Sequence, residues 1–198
     1  MRSKAPTLAP IFRSKHQAEL LATVLLHPDR EYTLTQLASR VGASLPTISA
    51  DVSRLSDAGV LDTRAVGRAR LVRVNPRSRL TRPLTDLLLA TYGPAVVVAD
   101  EFADVPDVDR VLIFGSWAAR YAGEPGPAPA DVDVLVVGAP ERQAVYDAAD
   151  RAEQRLGWPV NPRVIRTQRW EAEVDDVLVR QIKSAPTLHV LPATETPP

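Results

Sequence analysis

A helix and a short hairpin are encoded by residues 45–74, which read LPTISADVSRLSDAGVLDTRAVGRARLVRV. Ser44 stands just before the helix as its N-cap, and Pro46 suits the first turn because a missing N–H costs nothing there. Apolar side chains recur at helical spacing and define the face predicted to be buried, namely Leu45, Ile48, Val52 and Leu55. The run Asp57–Gly59 closes the helix, and residues 67–68 suit the turn of a hairpin. This stretch decides the fold of the N-terminal half.

Two further helices are predicted upstream. Gln17–Leu26 carries leucine and valine side chains at helical spacing and is stopped by Pro28. Gln36–Val41 follows, with Thr35 as its predicted N-cap and Gly42 as the residue that ends it. Because only a tight turn separates this helix from the next, the pair is typical of a helix-turn-helix.

The exposed face of the third helix and the hairpin carry the candidate DNA contacts. Side chains there are small or form hydrogen bonds, which lets a helix enter a major groove. An arginine-rich hairpin directly after such a helix is typical of a wing that touches phosphates or a minor groove. The predicted DNA-binding residues are Ser44, Pro46, Thr47, Ala50, Ser53, Arg54, Arg64, Arg68 and Arg70.

The formal charge of the chain is zero, yet its two halves carry opposite charges. Residues 1–93 hold 14 Lys and Arg against 7 Asp and Glu, whereas residues 94–198 hold 10 against 17. Most of the cations are arginine, whose planar fork pairs with phosphate and with guanine edges. The basic half therefore favours a nucleic-acid partner, although charge alone is equally compatible with a role in solubility.

Three segments of the basic half resemble the winged helix-turn-helix of bacterial ArsR- and MarR-type repressors. They are residues 35–38 (TQLA), 46–49 (PTIS) and 55–61 (LSDAGVL), and the resemblance extends over about residues 15–76. It implies binding to double-stranded DNA as a homodimer on two-fold sites, with protein docking as the alternative role of such a module. The chain has no cysteine, which excludes the thiolate metal sensing of some ArsR-type proteins.

Residues 80–104 are predicted to form a joint of two helices. Leucines recur at helical spacing through Leu80–Leu88, and Ala95–Ala103 is helical in composition although its valine run favours a strand. The apolar stripe of this joint serves either dimerisation or docking within the chain, and the sequence leaves both open.

Two carboxylates on one predicted strand mark the candidate site of the acidic half. The apolar strand Val108–Phe114 runs through Gly115-Ser116 into a helix, whose free N–H groups favour an anion. A second strand, Asp131–Gly138, follows a Pro- and Gly-rich loop. Because strand side chains alternate, Asp131 and Asp133 lie on one face and repel each other unless a cation lies between them. A hard ion with oxygen ligands, Mg²⁺ or Mn²⁺, meets that need.

The ordered pair of Gly115-Ser116 and Asp131-Val132-Asp133 is similar to the signature of the polymerase-β-type nucleotidyltransferases. The resemblance covers about residues 105–191. It implies that Gly115 and Ser116 hold a nucleoside triphosphate, with Arg120 as a further nucleotide contact. It also implies that Asp131 and Asp133 are the catalytic metal ligands.

A third carboxylate is often present on a later strand of that family, and the aligned position here is Asn161. A neutral amide forms hydrogen bonds but supplies neither a base nor the charge that two metal ions need. Whether the domain transfers a nucleotide or only binds one therefore stays open.

Together these patterns predict a mixed α/β (α+β) chain. A winged helix-turn-helix is expected over residues 1–79, the joint over 80–104, and over 105–198 a nucleotidyltransferase-like domain with a mixed sheet flanked by helices. In the last of these, Trp170–Ser184 is predicted as one helix and Thr194–Pro198 as disordered.

The expected function is DNA-binding transcriptional regulation, with a second domain that binds Mg-nucleotide. One alternative is an active nucleotidyltransferase that moves a nucleoside monophosphate to a protein, tRNA or small-molecule acceptor. Another is an antitoxin-like regulator that has a partner toxin. No apolar run approaches the length of a membrane span and the N-terminus lacks the apolar core of a signal peptide, so we expect a cytosolic protein with no membrane contact.

Overall fold

The computed structural model describes residues 12–125, 128–172 and 176–192, and the chain divides into two compact units between Gly93 and Pro94. Both units combine helices with a β-sheet, so the predicted mixed α+β class is confirmed. Within the described ranges, no helix is long and apolar enough to cross a bilayer. Each unit is described separately.

The N-terminal unit orders its elements as three helices, a hairpin and a fourth helix, with one short strand after the first helix. The elements are α1 (Lys15–Leu25), β1 (Tyr32–Thr33), α2 (Leu34–Val41), α3 (Leu45–Asp57), β2 (Leu61–Val66), β3 (Ala69–Val74) and α4 (Thr81–Tyr92). The three strands form an antiparallel sheet in the order β1-β3-β2. The predicted hairpin turn at Gly67 is confirmed, and the positive φ of 57° there explains the glycine.

Hydroxyl side chains cap the first three helices of this unit. Ser44 caps α3 as predicted, since its Oγ accepts a hydrogen bond from the Thr47 backbone N–H at 3.3 Å. The predicted Thr35 cap of α2 is wrong, because the N-cap is Thr33. Thr33 and Gln36 form a capping box, which requires the hydroxyl three residues before the amide side chain.

The core of this unit lies between α1, α2, α3 and the sheet. Its fully buried side chains include Leu20, Val24, Leu37, Ile48, Val52 and Val72. Helix α4 packs against α1 and buries Leu88. Leu45 was predicted to share the buried face of α3, but it is 48% exposed because it occupies the first residue of the helix, beyond the packed turns.

The C-terminal unit begins with α5 and alternates strands with helices. Its elements are α5 (Pro94–Phe102), β4 (Val108–Phe114), α6 (Gly115–Tyr121), β5 (Val132–Gly138), α7 (Arg142–Leu156), β6 (Val160–Ile165), α8 (Thr167–Glu171), α9 (Val177–Ser184) and β7 (Leu188–Leu191). The sheet order is β6-β5-β4-β7, with β5 and β6 parallel and the other pairs antiparallel. The predicted joint thus contributes α4 to the first unit and α5 to the second.

The single helix predicted over Trp170–Ser184 is wrong, because two helices lie there. Ala172 has an extended backbone after α8, and Asp176 begins α9 by accepting hydrogen bonds from the backbone N–H groups of Leu178 and Val179. The segment predicted to be disordered, Thr194–Pro198, lies outside the described residues.

The central strand β5 is buried on both faces. One face carries Leu135 and Val137, which pack with side chains of β4, β6, α8 and α9. The alternating residues Val134 and Val136 are fully buried as well. Covering both faces leaves only the ends of the strand open for polar side chains.

An ion-pair network joins α5 to α7. Glu101 on α5 accepts hydrogen bonds from Arg151 Nε at 2.8 Å and from Arg155 Nη1 at 2.6 Å. Burial alone would raise the pKa of Glu101, but the hydrogen bonds from Arg155 and Arg151 outweigh it and the pKa lies below its ordinary value of 4.5. The pairing therefore stabilises the fold when the carboxylate is ionised, at pH values above 4.5.

We predict that Glu101→Gln destabilises the protein at pH 7 by about 1 to 2 kcal/mol, measured by urea unfolding. Because the folded pKa is lowered, the contribution disappears as the pH falls through that value, so parent and variant should converge in acid. Asp150→Asn, on the exposed side of α7, is the control and should change stability little at either pH. A deficit that is the same at pH 3 and pH 7 would contradict the ionic origin.

Candidate functional site

The exposed face of α3 is built as the sequence predicted. Ser44, Pro46, Thr47 and Ala50 are exposed, and Ser53 is half-buried. The hydroxyls of Ser44 and Thr47 lie 2.8 Å apart, so the cap also fixes the Thr47 side chain. The first two turns of α3 thus present uncharged groups to solvent, all of them small except Leu45.

Arg54 lies one turn further along and is held by a buried carboxylate. Its Nη2 lies 2.6 Å from Asp51 Oδ1, and Asp51 is only 4% exposed. The rest of the guanidinium faces solvent, since half of the Arg54 side chain is exposed. Sequence reasoning missed Asp51, although its spacing of three residues from Arg54 is the signal for a helical ion pair.

The hairpin distributes its arginines over two faces of the sheet. Arg70 pairs with Ala65 in the β2–β3 register and donates a hydrogen bond from Nη1 to Ser53 Oγ at 3.2 Å, which places it against α3. Arg68 is exposed in the hairpin turn, next to Gly67. The structure therefore brings Arg70 against Ser53 on α3, one residue before Arg54, while Arg68 is exposed at the tip of the same hairpin.

Arg64 does not join this surface. It neighbours Ala65 along β2 and so points to the other face of the sheet, where both its Nε and Nη2 donate hydrogen bonds to the Glu31 carboxylate. Arg73 lies on the same face, 4.0 Å from Glu31 and 3.7 Å from Asp62. The hydrogen bond from Arg64 lowers the pKa of Glu31. Glu31 was not foreseen, because it is 33 residues from Arg64 and only the fold brings them together.

A separate polar cluster lies where β5 and β6 begin. Asp133 and Asn161 are paired in the parallel register, and Asn161 Nδ2 donates to Asp131 Oδ2 at 2.7 Å. Asp131 and Asp133 are both half-buried, but β5 begins at Val132, one residue later than predicted, so Asp131 lies just before the strand and Asp133 within it. Asn161 occupies the position expected for a third carboxylate.

Gly115 and Ser116 lie at the start of α6, immediately after β4. Phe114 pairs with Asp133, which brings the Gly115 backbone against that carboxylate. A Cβ added to Gly115 would lie 2.8 Å from Asp133 Oδ2, and the φ of 69° also disfavours other residues. Ser116 is exposed at the same helix start. Arg120 is half-buried in the last turn of α6, so it is set back from the polar cluster.

The electrostatics of the cluster are unfavourable for a second negative charge. Burial raises the pKa of Asp133, and the charge of Asp131 raises it further. The charge of Arg163 and a hydrogen bond from Asn161 act in the opposite direction but do not cancel the shift. Arg163 pairs with Leu135 in the sheet register and therefore shares the face of Asp133. The cluster gains stability from any cation placed beside its two carboxylates.

The donor set suits one hard cation and not two. Among the described residues, no group of three or more His, Cys, Asp and Glu side chains is placed to hold a metal ion. Mg²⁺ is commonly bound through one or two carboxylates together with water and substrate phosphates, which two aspartates can provide. Two metal ions would need the additional charge that Asn161 lacks.

Comparison with known proteins assigns no family. No family model matches the chain, and no curated protein matches it. Similar solved structures include reduced HlyU from Vibrio cholerae, at 21% identity and a TM-score of 0.33 over 38% of this chain and 75% of that one. AF1382 from Archaeoglobus fulgidus matches at 14% identity and a TM-score of 0.36, over 41% of this chain and 91% of that one.

The heme sensor protein PefR from Streptococcus agalactiae, in complex with heme, is similar at 16% identity and a TM-score of 0.33, over 37% of this chain and 52% of that one. These likenesses concern part of the fold only. The functional proposals below are therefore argued from the residues of this chain.

We predict that Gly115→Ala destabilises the protein more than Gly123→Ala does. Both glycines have positive φ, so backbone strain of about 1 kcal/mol is common to both, but only Gly115 faces a close atom. The excess should be about 1 kcal/mol in urea unfolding and should vanish when both alanine variants are made in an Asp133→Ala background. An excess that survives the loss of Asp133 would contradict the close approach.

Proposed function

We propose that the N-terminal unit binds double-stranded DNA through α3 and the β2–β3 hairpin, and that the chain is a transcription regulator. The contact of Arg70 with Ser53 carries this proposal, because it ties the hairpin to the exposed polar face of α3. A helix of small and hydrogen-bonding side chains beside a basic hairpin is the arrangement that reads a major groove while touching the flanking backbone. A cytosolic location accords with such a role.

The surplus of positive charge in this half supports the same proposal. Arg54 on α3 and Arg68 in the hairpin turn are both exposed, and guanidinium groups contact phosphate without a sequence requirement. Arg64 is excluded from the proposed surface, since Glu31 takes its fork on the opposite face of the sheet. The predicted set of DNA contacts is reduced by that one residue.

We predict that Arg68→Ala weakens binding to a short mixed-sequence duplex and lowers the slope of log affinity against log salt by about 1, because one phosphate contact is lost. Arg64→Ala removes the same charge from the same hairpin and serves as the matched control, with an almost unchanged slope. Fluorescence anisotropy over a salt series measures both. Equal slopes for the parent and both variants would reject the hairpin as a wing and would favour protein docking.

For the C-terminal unit we propose binding of Mg-nucleotide at Asp131 and Asp133. The support is the close approach of Gly115 to Asp133, which places a backbone without a side chain beside the two carboxylates. Mg²⁺, or Mn²⁺, would be held by the two aspartates and would supply positive charge to a triphosphate. Ser116, Arg163 and, from the last turn of α6, Arg120 are the groups that would contact phosphate oxygens.

Nucleotide sensing is favoured over transfer by one contact. The Asn161 amide donates to Asp131 Oδ2 at 2.7 Å and so satisfies that carboxylate without adding negative charge. An attacking hydroxyl on the acceptor would find no third carboxylate there to take its proton. Transfer of a nucleoside monophosphate to a protein, tRNA or small molecule is the second candidate function.

We predict that Mg-ATP, or another Mg-nucleoside triphosphate, raises the melting temperature of the C-terminal unit within the whole chain. A ligand at about 100 times its Kd adds about 2.7 kcal/mol, and Asp131→Asn should abolish the gain. Asp150→Asn, which removes an exposed charge on α7, should retain it. A melting curve that ignores every Mg-nucleotide would reject the site.

The same proteins separate sensing from transfer when incubated in lysate with α-labelled nucleotides. Label on an acceptor that depends on Asp131 and Asp133 would establish a transferase. Binding without label, with label gained in Asn161→Asp, would show that the missing carboxylate is what prevents transfer.

We also propose two protein partners, a second copy of this chain and a toxin. A homodimer is supported by α4, where Leu84 and Leu87 are only partly buried within the unit. A two-fold dimer would present two copies of α3 to successive major grooves. An antitoxin-like role with a partner toxin is a further proposal, and no described surface favours it.

A further inference from the structure

We propose that Leu45 reads the methyl group of thymine, so that the DNA sites preferred by this protein carry a thymine opposite the first turn of α3. This inference rests on the proposed DNA binding. It adds to that proposal the identity of one base that the protein would recognise. The observation that starts it is the exposure of Leu45, which is 48%, whereas Ile48 and Val52 on the same helix are fully buried.

The position of Leu45 at the start of α3 suits contact with DNA. It is the first residue of α3, directly after the Ser44 cap, and a helix entering a major groove places its N-terminal residues against base edges. About half of this leucine is left uncovered by the unit. A base edge is the surface that this helix end would meet in a complex.

The residues around Leu45 offer mainly apolar groups for contact with base edges. Pro46 has no N–H to donate, and Ala50 presents a methyl group. The Thr47 hydroxyl is engaged with Ser44 Oγ at 2.8 Å. Residues 44–50 contain no Arg, Lys, Asn or Gln, the side chains that read guanine or adenine by paired hydrogen bonds.

The major groove offers one apolar group to such a surface, and it is the C5-methyl of thymine. Arg54 is tied to Asp51 Oδ1 and lies more than two helical turns from Leu45. It and the hairpin arginines supply charge attraction to the phosphates, which selects DNA over a neutral apolar partner for this helix end. Phosphate contacts would orient α3, and Leu45 would discriminate among bases.

The test first selects bound duplexes from a random pool with the full chain, and then replaces each thymine of the selected site by uracil, which removes only the methyl group. For the parent, one or two such replacements should lower affinity about fourfold, the effect of one buried methyl-sized group. Leu45→Ala should bind the thymine duplex about fourfold more weakly and should no longer distinguish thymine from uracil.

Tyr146→Ala is the matched control, because Tyr146 is a similarly exposed apolar side chain, at 52%, and lies on α7 of the other unit. Its affinity ratio between thymine and uracil duplexes should equal that of the parent. A parent that binds the selected duplex yet ignores uracil at every position would overturn the inference while leaving DNA binding intact. Retention of the thymine preference in Leu45→Ala would overturn it as well. Failure to select any duplex would instead reject the proposed function, and this inference with it.

Discussion

The alternation of side chains along a β-strand is the constraint on which both candidate sites depend. In the first unit it sends Arg70 toward Ser53 on α3 and Arg64 toward Glu31 on the opposite face, although the two arginines are only six positions apart. In the second unit it aligns Asp133 with Asn161 of the neighbouring strand, whose amide donates to Asp131 just before β5. The same face of β5 is apolar further along, where α8 and α9 cover it. Polar chemistry is therefore confined to the uncovered strand ends.

The charged side chains of the two units differ in how they are paired. On the N-terminal unit the arginines are divided between internal partners and solvent, so that the exposed charge follows from which carboxylates lie nearby. Asp51 accepts one hydrogen bond from Arg54, whereas Glu31 accepts both donors of the Arg64 fork and also lies near Arg73. In the C-terminal unit Asp131 and Asp133 lie two residues apart, and the neutral Asn161 amide of the neighbouring strand donates to Asp131. Burial and then the charge of Asp131 raise the pKa of Asp133, and a cation beside the two carboxylates would relieve both effects.

In the proposed regulator, the first unit would bind DNA and the second would bind nucleotide. A nucleotide bound beside Asp131 and Asp133 would stabilise the second unit in proportion to its occupancy, since it binds only the folded state. The Asn161 amide donates to Asp131 Oδ2 and so orients one carboxylate of the proposed site. Reading of DNA would depend on α3, whose first turn is fixed by the Ser44 cap before any ligand arrives.

The sequence by itself determined the elements whose signals are local. Capping, helical spacing and alternation predicted α3, the hairpin turn at Gly67 and the strand Val108–Phe114, because each depends on residues a few positions apart. Local signals also misled at two ends, where Thr33 instead of Thr35 caps α2 and where the helix predicted after Trp170 divides in two. Only the tertiary structure decided which side chains are exposed and which are engaged by a partner within the chain. Glu31 reaches Arg64 across 33 residues, and Leu45 is exposed because the core ends one turn further along α3. Such contacts join residues that are distant in sequence, so no local pattern encodes them.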